Sequence, residues 1–143
     1  MRVAFVASFS PIVREPAAAR AFYADALGLS FEGGEGEYVF TERLGGVKHL
    51  GLWPLSDAAQ ACFGSPKWPD DIPVPQASLE FEVDSVEAVA DAADELETRG
   101  CRLIHKARTE PWNQTIARFL GPDGLIIGVC YTPWLHEEYT DGR

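Results

Sequence analysis

The chain has 143 residues, 46% of them hydrophobic, enough for one sizeable core or for two small modules sharing one. Its formal charge of −10, from 22 acidic against 12 basic residues, argues against nucleic-acid binding, which needs phosphate charge neutralised. The same charge favours a cationic small ligand, and it serves solubility equally well. Cys62, Cys101 and Cys130 are far apart and form no C-x-x-C pair. They make no disulfide framework and suit a reducing cytoplasm.

The N-terminus opens on strand-like sequence, without the basic leader and apolar stretch of a signal peptide. No uncharged apolar run reaches the ~18 residues that a membrane span needs. The expectation is a cytoplasmic protein with no membrane partner. Val3 to Phe9 is the first strand, continued by Pro11-Ile12-Val13, with Pro11 marking an edge or irregularity. Pro16 suits a helix start, and Ala17 to Leu27 is a helix with Ala19, Phe22, Tyr23, Ala26 and Leu27 on its apolar face. Gly28 is its C-cap. Three short strands follow: Leu29 to Glu32, then, after a Gly33-Gly34 turn, Glu37 to Thr41, and Val47 to Trp53.

Ser56 is placed to cap a short helix through Ala61. Pro66, Pro69, Pro73 and Pro75 allow no regular element between Ser65 and Gln76, which reads as a surface linker anchored by Trp68. Ala77 to Val83 alternates as a strand. Asp84 with Glu87 resembles a capping box. The helix that follows buries Val86, Val89, Ala90, Ala93 and Leu96 and ends at Gly100. Cys101 to His105 is a strand. Thr115 to Leu120, the turn Gly121-Pro122-Asp123-Gly124, and Leu125 to Tyr131 make a β-hairpin. Each half thus reads strand, helix, three strands. Ser8 and Val13 repeat as Ser78 and Val83, 70 residues on. The divisions are a first module at 1–55, a proline-rich linker at 56–76, a second module at 77–131 and a tail at 132–143.

Four passages resemble the vicinal-oxygen-chelate superfamily of glyoxalases, extradiol dioxygenases and bleomycin-resistance proteins. They are Ile12-Val13 leading into Ala21-Phe22-Tyr23-x-x-Ala26-Leu27-Gly28-Leu29, then Phe81-Glu82-Val83-Asp84, Pro111-Trp112-x-Gln114 and Gly121-Pro122-Asp123-Gly124. The resemblance implies an α+β fold of paired βαβββ modules forming curved mixed sheets around a cleft, and assembly as a homodimer. Family enzymes hold a divalent metal at positions that match Ser8, Ser78 and Gly128 here, with a fourth near His49. Serine is a poor donor for such an ion and glycine supplies none. The expectation is therefore no metal and no other cofactor.

The residues themselves offer a ligand pocket. In the arrangement that the resemblance implies, Trp53 ends a cleft-forming strand and Trp112 lies near the cleft mouth, where their rings give large flat walls able to hold a cation over their faces. Tyr38 is a weaker candidate of the same kind, with Phe40. His49 is a candidate ligand-contacting ring, base or residual metal donor, or equally a strand histidine held by a hydrogen bond. Gln114 is a candidate hydrogen-bonding partner. No catalytic set emerges from spacing. His105 reads as exposed, and Glu80 and Glu82 as a solvated strand face. The tail, with Trp134, Leu135 and Tyr139, reads as an arm over a partner subunit or a frayed end. The functional expectation is a metal-free protein that sequesters a small aromatic molecule, neutral or cationic, such as an antibiotic. The alternative is a glyoxalase-type metal-dependent lyase, isomerase or dioxygenase. A binding role toward another protein is a third possibility.

Overall fold

The computed structural model describes residues 1–33 and 36–136. The expected turn residue Gly34 and the tail residue Tyr139 lie outside the described residues. The chain runs as β1 (Phe5–Val13), α1 (Pro16–Arg20), β2 (Glu32–Gly33), β3 (Val39–Thr41), β4 (Leu50–Pro54) and α2 (Leu55–Phe63). It continues as β5 (Ala77–Glu82), α3 (Val86–Thr98), β6 (Arg102–Thr109), β7 (Thr115–Leu120) and β8 (Ile126–Tyr131), then a single 3₁₀ turn at Pro133–Leu135.

All eight strands belong to one mixed sheet of order β2-β3-β4-β1-β5-β8-β7-β6. Each half contributes one parallel pair, β1 with β4 and β5 with β8. The halves are joined by antiparallel pairing of β1 with β5. This corrects the expectation of curved sheets wrapped around a cleft. Among the described residues the sheet is open, with β2 and β6 as its two outer strands and no pairing between them. The physical reason lies in the free sides of β1 and β5, whose backbone groups satisfy each other across the middle. In that seam Ser8 faces Glu80 and Ser10 faces Ser78. These two pairs interchange under a 70-residue shift, the spacing seen in the sequence.

The helices divide between the two faces. Ala117, Phe119 and Val129 pack with Val89, Ala92 and Ala93 of α3. The cap of α3 is Ser85, whose hydroxyl accepts from the Ala88 N–H at 3.1 Å, one residue later than the expected Asp84 box. On the opposite side, Ala58, Ala59 and Cys62 of α2 cluster with Ile126, Trp68 and Ile72. Trp68 does anchor the proline-rich stretch: its indole N–H donates to Ile72 O at 2.8 Å. Helix α2 begins at Leu55 with no side-chain cap, so Ser56 does not serve as one.

The first helical segment departs from its sequence reading. Segment α1 passes into a π-helical turn at Ala21–Ala26, and neither piece buries a residue. Phe22 and Leu27, expected on an apolar inner face, are each 55% exposed. The C-terminal hairpin follows its reading closely. Gly124 takes φ +88° in the turn, and Gly121 N–H donates to Leu125 O at 2.9 Å.

Candidate ligand-binding site

A cavity of about 880 Å³ lies against the seam of the two halves, lined by residues of both. Ser8, Ser10 and Glu80 from the paired β1 and β5 form part of it, and Asp57, Gln60 and Ala61 of α2 wall one side. Trp53, Trp112, His49, Gln114 and Tyr38, the five residues singled out in the sequence, all line this cavity. So do Phe40 and Trp134.

The end formed by β3 and β4 is a hydrogen-bonded chain of side chains. Glu42 Oε2 accepts from His49 Nδ1 at 2.7 Å, and His49 Nε2 lies 2.5 Å from the Tyr38 hydroxyl. With its Nδ1 proton given to the carboxylate, the ring presents the Nε2 lone pair to the phenol O–H. Trp134 Nε1 donates to the same Glu42 oxygen at 3.1 Å. Phe40 stacks on the His49 ring at 5.0 Å and 12°. Burial, then the charges of Glu80 and Glu42, push the Tyr38 phenol above its ordinary pKa, against a hydrogen bond from Ser10. Tyr38 therefore stays protonated at neutral pH. Gly51 makes room for it, since a Cβ there would lie 2.8 Å from two carbons of the Tyr38 ring.

Gln114 ties the middle of the site together. It accepts from Trp112 Nε1 and donates to Glu80 Oε1 and Thr132 Oγ1, each at 3.0 Å. Glu80 thus faces the cavity rather than solvent. Its strand neighbour Glu82 is fully buried, against expectation, and is held by the Thr132 N–H and by His136 Nε2 at 2.7 Å. Burial raises the Glu82 pKa despite these bonds.

The far end is built on Arg118, which is 1% exposed. Its Nη1 donates to Glu110 Oε2 at 2.7 Å and to His105 Nε2 at 3.0 Å. The guanidinium carbon sits 5.6 Å from the centre of the Trp53 ring. Burial pushes the Glu110 carboxyl up, but the hydrogen bonds and charges of Arg118 and Arg108 outweigh it and hold it below its ordinary value. His105, expected to be exposed, is drawn into this cluster, and burial with the nearby Arg118 and Arg108 charges lowers its pKa to about 4.

Sequence reasoning missed Glu42, Glu110 and Arg118 as cavity residues and placed Trp134 in an arm. Arg118 carried one available signal: it is the one charged residue in a hairpin strand, flanked by Ile116, Ala117, Phe119 and Leu120. Glu42 carried none, because its pairing depends on how β3 and β4 lie side by side.

A cavity set on a mixed sheet of two βαβββ-like halves accompanies a family match. The chain belongs to the glyoxalase/bleomycin resistance protein/dioxygenase superfamily, whose family model matches residues 6–129. No curated protein matches the chain. Among solved structures, it is similar to an NAD-dependent benzaldehyde dehydrogenase from Legionella pneumophila, at 16% identity and TM-score 0.59, covering 87% of this chain and 96% of that one. It is also similar to a glyoxalase/bleomycin resistance protein/dioxygenase superfamily member from Vibrio splendidus 12B01, at 17% identity and TM-score 0.57, covering 90% and 98%. A methylmalonyl-CoA epimerase from Mycobacterium tuberculosis gives 17% identity and TM-score 0.58, covering 93% and 91%. At these identities the likeness is one of fold.

The metal that the superfamily implies does not fit the donors present. At Gly128, opposite Glu80 in the sheet, a Cβ would meet Ile116 Cδ1 at 2.8 Å and Glu80 Cγ at 3.0 Å, so the space of a ligand side chain is filled. Both His49 nitrogens are engaged, by Glu42 and Tyr38. Among the described residues no three His, Cys, Asp or Glu side chains converge as a metal set.

Proposed function

We propose that the cavity takes up a small, largely aromatic molecule. The observation that carries this reading is the 880 Å³ space walled by Trp53, Trp112, Trp134, Tyr38 and Phe40, with a few fixed polar groups between them. Glu42 and Glu80, together with the net charge of −10, favour a ligand that also bears a cationic group. Sequestration of such a molecule, for instance a planar aromatic antibiotic, is the finer form of the proposal. Tryptophan-fluorescence titration against planar aromatic cations tests it, repeated with Trp53→Phe and Trp112→Phe. Saturable quenching that weakens in both variants supports the reading. Absence of saturable quenching by any of the series overturns it.

A second reading, turnover of the bound molecule, is favoured by the Glu42–His49–Tyr38 chain. The phenol oxygen can take a proton from a ligand as its own passes to His49 Nε2, with Glu42 stabilising the imidazolium. The names of the similar dehydrogenase and epimerase structures keep company with this use of the fold. For the metal-dependent form of this reading, the carboxylates and the histidine that line the cavity do not converge as a set of three among the described residues.

A further inference from the structure

We propose that the ligand is an aromatic carboxylic acid, anchored by its carboxylate on the Nε–Nη2 edge of Arg118. This rests on the reading that the cavity takes up an aromatic molecule, and it names the group that fixes that molecule's orientation. Arg118 lines the cavity and spends one nitrogen on the protein. Nη1 donates to Glu110 Oε2, His105 Nε2 and, at 3.5 Å, Ala61 O. The Nε–H is buried and has no acceptor among the described residues. None of the hydrogen bonds of the described residues leaves from Nη2 either. A buried donor without an acceptor has lost its hydration with nothing in return, so its presence asks for an explanation. The Nε–H and the outer Nη2–H of a guanidinium are parallel, and their spacing matches the two oxygens of a carboxylate.

The local charge agrees. Arg108 and Arg118 face the single carboxylate of Glu110, which lies 3.3 Å from Arg108 and 2.7 Å from Arg118. His105 adds no charge at neutral pH: its Nδ1–H donates to Lys106 O at 2.7 Å, and Nε2 receives the Arg118 proton. Among these contacting groups one positive charge is left over, while Asp57 lies on the α2 wall, Glu80 in the middle of the cavity and Glu42 at its other end. The Trp53 ring beside the guanidinium supplies the apolar surface for the ligand's aromatic body. The acidic end then receives the far side of the ligand, where a cationic or hydrogen-bond-donating group fits.

Isothermal titration calorimetry with 2-naphthoate and 2-naphthamide tests the anchor. The two probes share shape and differ in the charged group. Wild-type protein is expected to bind the naphthoate at least about tenfold more tightly than the amide, as a charge-assisted fork requires. Arg118→Lys keeps the charge beside Glu110 and removes the fork, and in it the preference is expected to vanish. Equal affinities in the wild type would overturn the anchor and leave the aromatic-cavity reading standing. No binding of either probe would overturn the anchor, and the titration with planar aromatic cations then decides the aromatic-cavity reading by itself. A preference that survives in Arg118→Lys would place the carboxylate elsewhere and overturn the anchor. If that variant does not fold, the Arg118 Nε–H resonance of the wild type decides: a shift with naphthoate and not with naphthamide supports the anchor, and no shift overturns it.

Discussion

At the scale of single residues, the site depends on what is missing at Gly51. Tyr38 can lie across β4 and reach His49 because no side chain stands at position 51. Gly51→Ala is therefore expected to displace the phenol and break its bond to His49. The cost should be about 1–3 kcal/mol, the range for overpacking a filled space. Urea denaturation and the near-UV circular dichroism of the tyrosine check this, and an unchanged midpoint with an unchanged spectrum would contradict it. Residue roles of this kind were only half legible in the sequence. Aromatic excess pointed to Trp53, Trp112 and Tyr38, since large flat side chains at strand ends announce a wall. The partners of charged residues stayed hidden. Glu82 alternates as if solvated, yet it is buried because Thr132 and His136, about fifty residues later, return to bond it. Nothing in its own neighbourhood encodes that return.

At the scale of elements, the β6–β7 seam couples the site to pH. His105 on β6 pairs with Arg118 on β7. Its pKa falls from the ordinary 6.5 to about 4, first through burial and then through the two arginine charges, against a backbone hydrogen bond to Lys106 that raises it. The unfolded chain thus takes up a proton at His105 before the folded protein does. Stability from this residue is complete above 6.5 and is lost as pH falls from there through about 4. His105→Gln keeps an acceptor for Arg118 and removes the titration. The urea midpoint of the variant should drop less than that of the wild type between about pH 7 and about pH 5. An equal drop would show that His105 carries no such linkage. The elements themselves were more legible than their packing. The β7–β8 hairpin follows from an alternating strand and a nearly all-apolar one on either side of Gly-Pro-Asp-Gly, and α3 from its periodic apolar face, of which Val89 and Ala93 are buried while Val86 is 46% exposed. Segment α1 shows the same kind of periodicity but leaves Phe22 and Leu27 exposed, because a helical stripe states which side is apolar and not what stands opposite it.

At the scale of the whole molecule, two similar halves make one site because β1 and β5 pair with each other. The 70-residue repeat was visible in Ser8, Val13, Ser78 and Val83. The consequence of that repeat was not, since the same strands could line two separate curved sheets or one open sheet, and local patterning does not choose between them. With the open sheet, the cavity is completed by other pieces: α2, the Pro111–Trp112 stretch and the turn at Pro133–Leu135. This explains why Trp134, remote from every motif, ends up beside Glu42. The tryptophans then give the most direct measurement of the central claim, that this cavity holds an aromatic ligand. Their indole N–H resonances in a ¹⁵N-labelled protein should be followed as 2-naphthoate is added. Trp53, Trp112 and Trp134 are expected to shift along one common saturation curve, while Trp68, bound to Ile72 O away from the cavity, stays fixed. Shifts that do not saturate, or that are confined to Trp68, would contradict the account.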